Sequence, residues 1–172
     1  NTLTKGATYY YVVMNYNQVA EETTDVNLFY SQTTKSSNTK VISATQDGIL
    51  KAKYPGVAKV TVKPAAGSGL SMSKTLVVLP SKVTGVKLTA KKKAMKVAWK
   101  KTAGASGYKV YRATSKKGKY TCVKTASSKT TSFTNKKLKK NKKYYYKVCA
   151  FVKSGKKTYN GAYSTVVMKK AK

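Results

Sequence analysis

The chain has 172 residues, 41% of them hydrophobic, which is enough for one large or two small cored domains and too apolar for disorder throughout. Its 36 Lys and Arg stand against four Asp and Glu and no histidine, a formal net charge of +32, and Arg112 is the one arginine. With only Glu21, Glu22, Asp25 and Asp47 as carboxylates, general acid–base catalysis near neutral pH has almost nothing to draw on, so the composition argues against an enzyme.

No apolar run of about 18 residues occurs, and no charged-then-apolar leader, so neither a membrane span nor a signal peptide is expected. Because the chain begins at Asn1 rather than methionine, it is read as a piece of a longer or processed protein.

Taken in order, the first half opens with residues 3–6 and a Tyr- and Val-rich strand over residues 8–16. A polar loop follows over residues 17–24, then a strand over 26–32. Next come Ser36-Ser37-Asn38, the short run Val41-Ile42, the turn pair Asp47-Gly48, then Ala52 and the turn pair Pro55-Gly56 ahead of the alternating strand 57–62. This succession resembles a group 2 bacterial immunoglobulin-like domain over residues 3–79, as carried by bacterial surface proteins such as intimins and invasins. It departs from the family at Thr34-Lys35, where a tryptophan usually precedes the serines, so the resemblance implies that Phe29 or the tyrosines at 9–11 fill the core instead. The N-terminal strand is short or missing, which leaves a sheet edge for a preceding domain to cover. Residues 75–79 close the unit, and Pro80-Ser81-Lys82 is a linker too short for free tumbling.

In the second half, the stretch 138–153 carries most of the information. Tyr144, Tyr146, Val148, Ala150 and Val152 alternate with Tyr145, Lys147, Cys149, Phe151 and Lys153, the period-two pattern of a strand with one set facing a core and the other facing out. Leu138 lies six residues before Tyr144, across a polar stretch containing Lys140-Asn141. This resembles the F strand of a fibronectin type III domain, with Lys140-Asn141 where the family usually has Pro-Gly. The resemblance covers residues 80–170 and implies seven strands: A over 83–90, B over 94–100 with the lone tryptophan Trp99, C over 108–113, C′ over 119–125, E over 130–134, F over 143–153 and G over 159–168. It also implies a core of Trp99, Tyr108, Val110, Leu138, Tyr144, Tyr146 and Val148, with Tyr145 and Lys147 exposed. The fold class expected for the whole chain is therefore all-β, two tandem immunoglobulin-like β-sandwiches spanning residues 1–79 and 80–172, without helices.

Little chemistry is available to such a chain. Glu21, Glu22 and Asp25 lie close in one loop, but their spacing matches no calcium loop, and a solvated acidic loop is the simpler reading, so neither a metal nor a cofactor is expected. Cys122 on C′ and Cys149 on F have strand C between them, about 9–10 Å of backbone separation against a disulfide limit of about 7 Å, so two free thiols are expected. The second half has no acid, so it cannot use the carboxylate-assisted Lys–Asn isopeptide crosslinks found in some surface adhesins.

The charge is also unevenly divided. Of the 36 cationic residues 28 follow Pro80, where there is no acid, against eight cations and all four acids before it. A field of that size repels itself unless an anionic partner is near, and the expected partner is an anionic polysaccharide or wall polymer; the alternative is that the lysines reflect composition or solubility alone. Nucleic acid is disfavoured because base and bidentate phosphate recognition prefer arginine. The candidate ligand face consists of Lys109, Tyr111, Tyr145 and Lys147, outward on C and F. The sequence reads as a non-catalytic structural and adhesion module of a bacterial surface or secreted protein, joined to neighbouring domains of a longer parent. The alternative is an accessory module of a secreted polysaccharide-degrading enzyme whose catalytic domain lies outside this chain.

Overall fold

Backbone pairing of period-two segments builds every element of the structure, a computed structural model that describes residues 2, 3, 5, 8–10, 32–46, 48–64 and 71–172. The described residues are all-β, and the chain divides into two units, Asn1–Val78 and Leu79–Lys172. Each is an immunoglobulin-like sandwich, the two standing in tandem along the chain.

In the first unit one sheet has the order β1-β7-β6-β3, formed by Thr2–Leu3, Met72–Val78, Gly56–Pro64 and Gln32–Ser36. The other has the order β2-β5-β4, formed by Thr8–Tyr10, Ile49–Ala52 and Ile42–Ala44. Ile42, Leu50, Ala58, Leu76 and Val78, each at most 1% exposed, form the centre between them. The Ser36-Ser37-Asn38 segment earns its place through backbone bonding: Lys59 N–H donates to Ser37 Oγ at 2.8 Å, and Val41 and Ile42 N–H donate to the Asn38 carbonyl at 3.0 Å. Gly48 takes a φ of 90°, which a side chain would resist, in the turn between β4 and β5. β1 is a two-residue strand pairing parallel to β7. Of the first-half strands expected, 8–16 is described only as β2, and 26–32 only at Gln32, where β3 begins. Phe29, the side chains of the tyrosines at 9–11, and Glu21, Glu22, Asp25 and Asp47 lie outside the described residues. Thr34 is buried at 6% exposure with its hydroxyl unpartnered.

In the second unit β8 (Lys87–Lys91), β9 (Ala94–Ala98) and β12 (Ser132–Asn135) make one sheet in the order β12-β9-β8. β10 (Gly107–Ala113), β11 (Thr121–Ser127), β13 (Lys143–Ser154), β14 (Lys157–Asn160) and β15 (Val167–Lys170) make the other, with β13 between β10 on one side and both β14 and β15 on the other. Two corrections to the expected strands have clear causes. The first strand begins at Lys87 rather than 83, because Pro80 and Val83 pack into the unit as irregular chain. The last strand is two, because Asn160-Gly161 breaks it; residues 161–166 still bond to β13, through Gly161 N–H to the Ala150 carbonyl and Ser164 N–H to the Val148 carbonyl, each 2.8 Å, and Val148 N–H to Ser164 Oγ at 3.0 Å. A side chain at Gly161 would meet the Pro80 carbonyl at 2.5 Å.

The core cluster contains Trp99, Tyr108, Val110, Leu138, Tyr144, Tyr146 and Val148, none more than 5% exposed. Three of its tyrosine hydroxyls are placed by polar partners. Tyr144 accepts from Lys139 N–H at 3.1 Å, tying β13 to the turn before it, Tyr108 accepts from Thr102 N–H at 2.8 Å, and Tyr146 accepts from Asn135 Nδ2 at 3.1 Å. Trp99 stacks obliquely on Tyr108, with ring centroids 5.5 Å apart, but its indole N–H has no protein partner. Trp99→Ala should therefore cost about 3–5 kcal/mol in chemical denaturation, from the cavity it leaves, while Trp99→Phe should cost well under half as much, because no indole hydrogen bond is lost.

Candidate functional site

The outward face of β10 and β13 assembles the candidate residues by register alone. Lys109 lies opposite Cys149, Tyr111 opposite Lys147, and Ala113 opposite Tyr145, so Lys109, Tyr111, Tyr145 and Lys147 share one face of adjacent strands. A register shift between Val110 and Tyr111 on the β11 side brings Cys122 opposite Tyr111.

That face is not the open platform expected. Tyr145 and Lys147 are half-buried, as are Lys109 and Tyr111, and Cys149 and Phe151, on the same outward register, are buried at 0% and 8% exposure. Aromatic rings account for the two lysines and Tyr111. Lys147 Nζ sits 3.8 Å from the ring centre of Tyr163 and 4.4 Å from that of Tyr120, so its ammonium is held by two rings. Tyr163 meets Tyr111 edge-on at 5.3 Å between centroids, and Lys109 Nζ lies 5.7 Å over Phe151. Gly107 is required beneath Phe151, since a Cβ there would lie 2.6 Å from its ring. Burial, and then the adjacent Tyr163 hydroxyl, hold Tyr111 protonated well above the ordinary tyrosine range.

Tyr120 and Tyr163 are the residues that sequence reasoning missed here. The sequence puts Tyr120 on C′ and Tyr163 on G, but both lie outside the paired strands, before β11 and between β14 and β15, so period-two reading could not give what they face. Arg112, on the inward register, lies with its guanidinium 5.5 Å over Tyr144. The 28 cationic side chains of the second unit thus fall into two groups: Lys109, Arg112 and Lys147 are half-buried against aromatic rings, and all the others are exposed.

This arrangement offers little to catalysis. The second unit is described throughout and contains no His, Asp or Glu to pair with a nucleophile. Its two cysteines are free, with β10 between their strands. Burial pushes the Cys149 thiol up, outweighing the opposing pull of Lys109, while Cys122 is exposed. Among the described residues, no group of three His, Cys, Asp or Glu could hold a metal ion, and no helix is long and apolar enough to cross a membrane.

No protein-family model matches the chain, and no curated protein matches it. Among solved structures, the two-domain fibronectin type III segment from chicken tenascin is 13% identical over 72% of this chain and 70% of that one, with a TM-score of 0.54. The FN1–FN3 domains of chicken CNTN1 are 18% identical over 72% of this chain at a TM-score of 0.49, and this chain spans 47% of that segment, about half its length. A Fn3-like protein from Clostridium thermocellum is 26% identical over 51% of this chain and 88% of that one, with a TM-score of 0.40. The chain's structural neighbours are thus fibronectin type III domains, a bacterial one among them, and the tenascin likeness shows the fold alone.

Two outcomes follow from the face described. Lys147→Ala should destabilise the chain by about 1–2 kcal/mol, through the lost ring contacts and stem packing, whereas Lys153→Ala on the exposed end of β13 should stay within about 0.5 kcal/mol in the same urea titration. In thiol labelling at pH 8 of the folded chain, Cys122 should react promptly and Cys149 only at the rate of unfolding; equal rates would show that Cys149 is not buried.

Proposed function

We propose that the chain is a non-catalytic structural and adhesion segment of a bacterial surface or secreted protein, in which a group 2 immunoglobulin-like unit precedes a fibronectin type III-like unit that docks onto an anionic polysaccharide or wall polymer. The group 2 assignment is supported by Ser36-Ser37-Asn38 and the Gly48 and Pro55-Gly56 turns, and the second by Leu138, Tyr144 and the alternation that follows. Extracellular placement rests on these resemblances.

One observation carries the docking reading: 28 cations and no acid lie after Pro80, and all but three of those cations are exposed to solvent. Salt bridges within the second unit cannot offset this field, so counter-ions must, and a polyanion that releases those counter-ions gains free energy on binding. Lysine offers point charge without the planar fork of arginine, which suits a flexible polymer of repeating anionic groups better than a shaped recognition site.

In a column or calorimetric assay on the full chain, affinity for a teichoic-acid-type glycerol-phosphate polymer should fall steeply as salt rises from 50 to 200 mM, because about six or more ion contacts are exchanged. Between pH 5 and 8 it should hardly change, since the second unit has no histidine or carboxylate side chain to titrate. Failure to retain any anionic polymer at about 0.15 M salt would remove the docking reading and leave the spacer role alone.

A further inference from the structure

The exposed lysines are not evenly spread over the second unit, and the topology says where they gather. The turn between β8 and β9 is Lys91-Lys92-Lys93, the connector over residues 136–143 has six lysines in eight residues, and residues 169–172 have three in four. All twelve are exposed. Backbone hydrogen bonds weave these three segments together: Lys93 N–H donates to the Lys172 carbonyl at 2.8 Å, Leu138 N–H to Lys93 at 2.9 Å, Asn141 N–H to Ala171 at 3.0 Å, and Ala171 N–H to Lys142 at 3.0 Å. Lys143 pairs with Lys170 in the β13–β15 ladder. The loop from β10 to β11, carrying Lys116, Lys117 and Lys119, leaves the sheet at the same end, because Ala113 lies opposite Tyr145.

The backbone at this end carries a second, independent mark. The non-glycine residues with positive φ among those described are Lys93 at 49°, Lys137 at 58° and Asn141 at 63°, and all three belong to this cluster. Left-handed turn positions ordinarily take Gly, Asn or Asp; two of these three take lysine, where glycine would relieve the strain and lose a charge. The left-handed backbone thus falls within one exposed cluster of like charge that is tied down by its own backbone bonds.

We infer that this lysine pole, and not the β10–β13 face, is the docking surface for the anionic polymer, and that its partner is a linear phosphodiester polymer. The inference rests on the docking reading above and adds the site to it. A linear polymer is favoured because the lysines lie on three loops joined edge to edge without an enclosing pocket, and closely spaced anions can bridge from one loop to the next. Lys109 and Lys147 contribute little, since each already faces an aromatic ring.

The test uses the full chain in two variants with the same number of altered lysines. The pole variant carries Lys92→Gln, Lys93→Gly, Lys137→Gly, Lys140→Gln, Lys142→Gln and Lys170→Gln. The control carries Lys87, Lys96, Lys124, Lys129, Lys153 and Lys157, each→Gln, all exposed and outside the pole. Against a glycerol-phosphate polymer and against heparin at 0.15 M salt, the pole variant should lose at least about tenfold in affinity and show a shallower salt slope, and the control at most about threefold. The two glycines should keep or raise the melting temperature, so a weakened pole variant that is no less stable than the unsubstituted chain excludes unfolding as the cause. Equal losses in the two variants would overturn the pole and leave a diffuse charge effect. A larger loss for Lys109→Gln with Lys147→Gln would return the site to β10 and β13. If the unsubstituted chain binds neither polymer, the docking reading fails, and this one with it. Tighter binding of heparin than of the glycerol-phosphate polymer would overturn the phosphodiester assignment.

Discussion

Every feature of the second unit has to be compatible with one constraint, that its 28 positive side chains have no carboxylate among them to pair with. Two exposed like charges about 8 Å apart in water repel by roughly half a kcal/mol, less with salt, so the sum over many pairs is tolerable only if nearly all stay solvated. The fold satisfies this by keeping charge off the interior and using rings for the exceptions. Lys109, Arg112 and Lys147 each lie over an aromatic face, whose negative quadrupole does part of what a carboxylate would. Tyrosine suits this task, since the ring that receives an ammonium also packs as a hydrophobe. The core tyrosines have a different role, with hydroxyls fixed by Lys139 N–H, Thr102 N–H and the Asn135 side chain.

The two faces of β13 therefore do different work with the same residue type. Inward, Tyr144 and Tyr146 fill the sandwich and anchor its turns. Outward, Tyr120 and Tyr163 hold the Lys147 ammonium, and Tyr163 packs edge-on against Tyr111. This cluster is structural, closed on itself by lysine–ring contacts, and it shifts attention from the sheet face to the loops, where lysines have no such partners.

How far the sequence was legible follows from what period-two reading can and cannot contain. Alternation along residues 144–153 tells which side chains share a face, and turn pairs such as Pro55-Gly56 tell where strands begin, so the all-β class and the sandwich architecture are readable from residues. What covers a face is a tertiary matter. The half-burial of Lys147 goes with Tyr163, from the segment after β14, and Tyr120, from the entry to β11, neither of which belongs to β13. The break between β14 and β15 did have a local signal in Asn160-Gly161, overlooked because Tyr159 and Val167 together resemble one strand. The left-handed turn at Lys93 had none, because three consecutive lysines contain no residue that asks for positive φ.

That broken last strand bears on how such a unit behaves when crowded with copies of itself. A long, straight outer strand exposes unpaired N–H and C=O groups that can recruit another chain. Here the edge beside β13 is two four-residue pieces, with Gly161 and Ser164 turning their hydrogen bonds inward to Ala150 and Val148, and lysines at 156, 157, 169 and 170 bordering both. A neighbouring copy meets a short, interrupted and cationic border that it cannot extend. This border resists edge-to-edge pairing at high local concentration, through chain geometry as much as through charge.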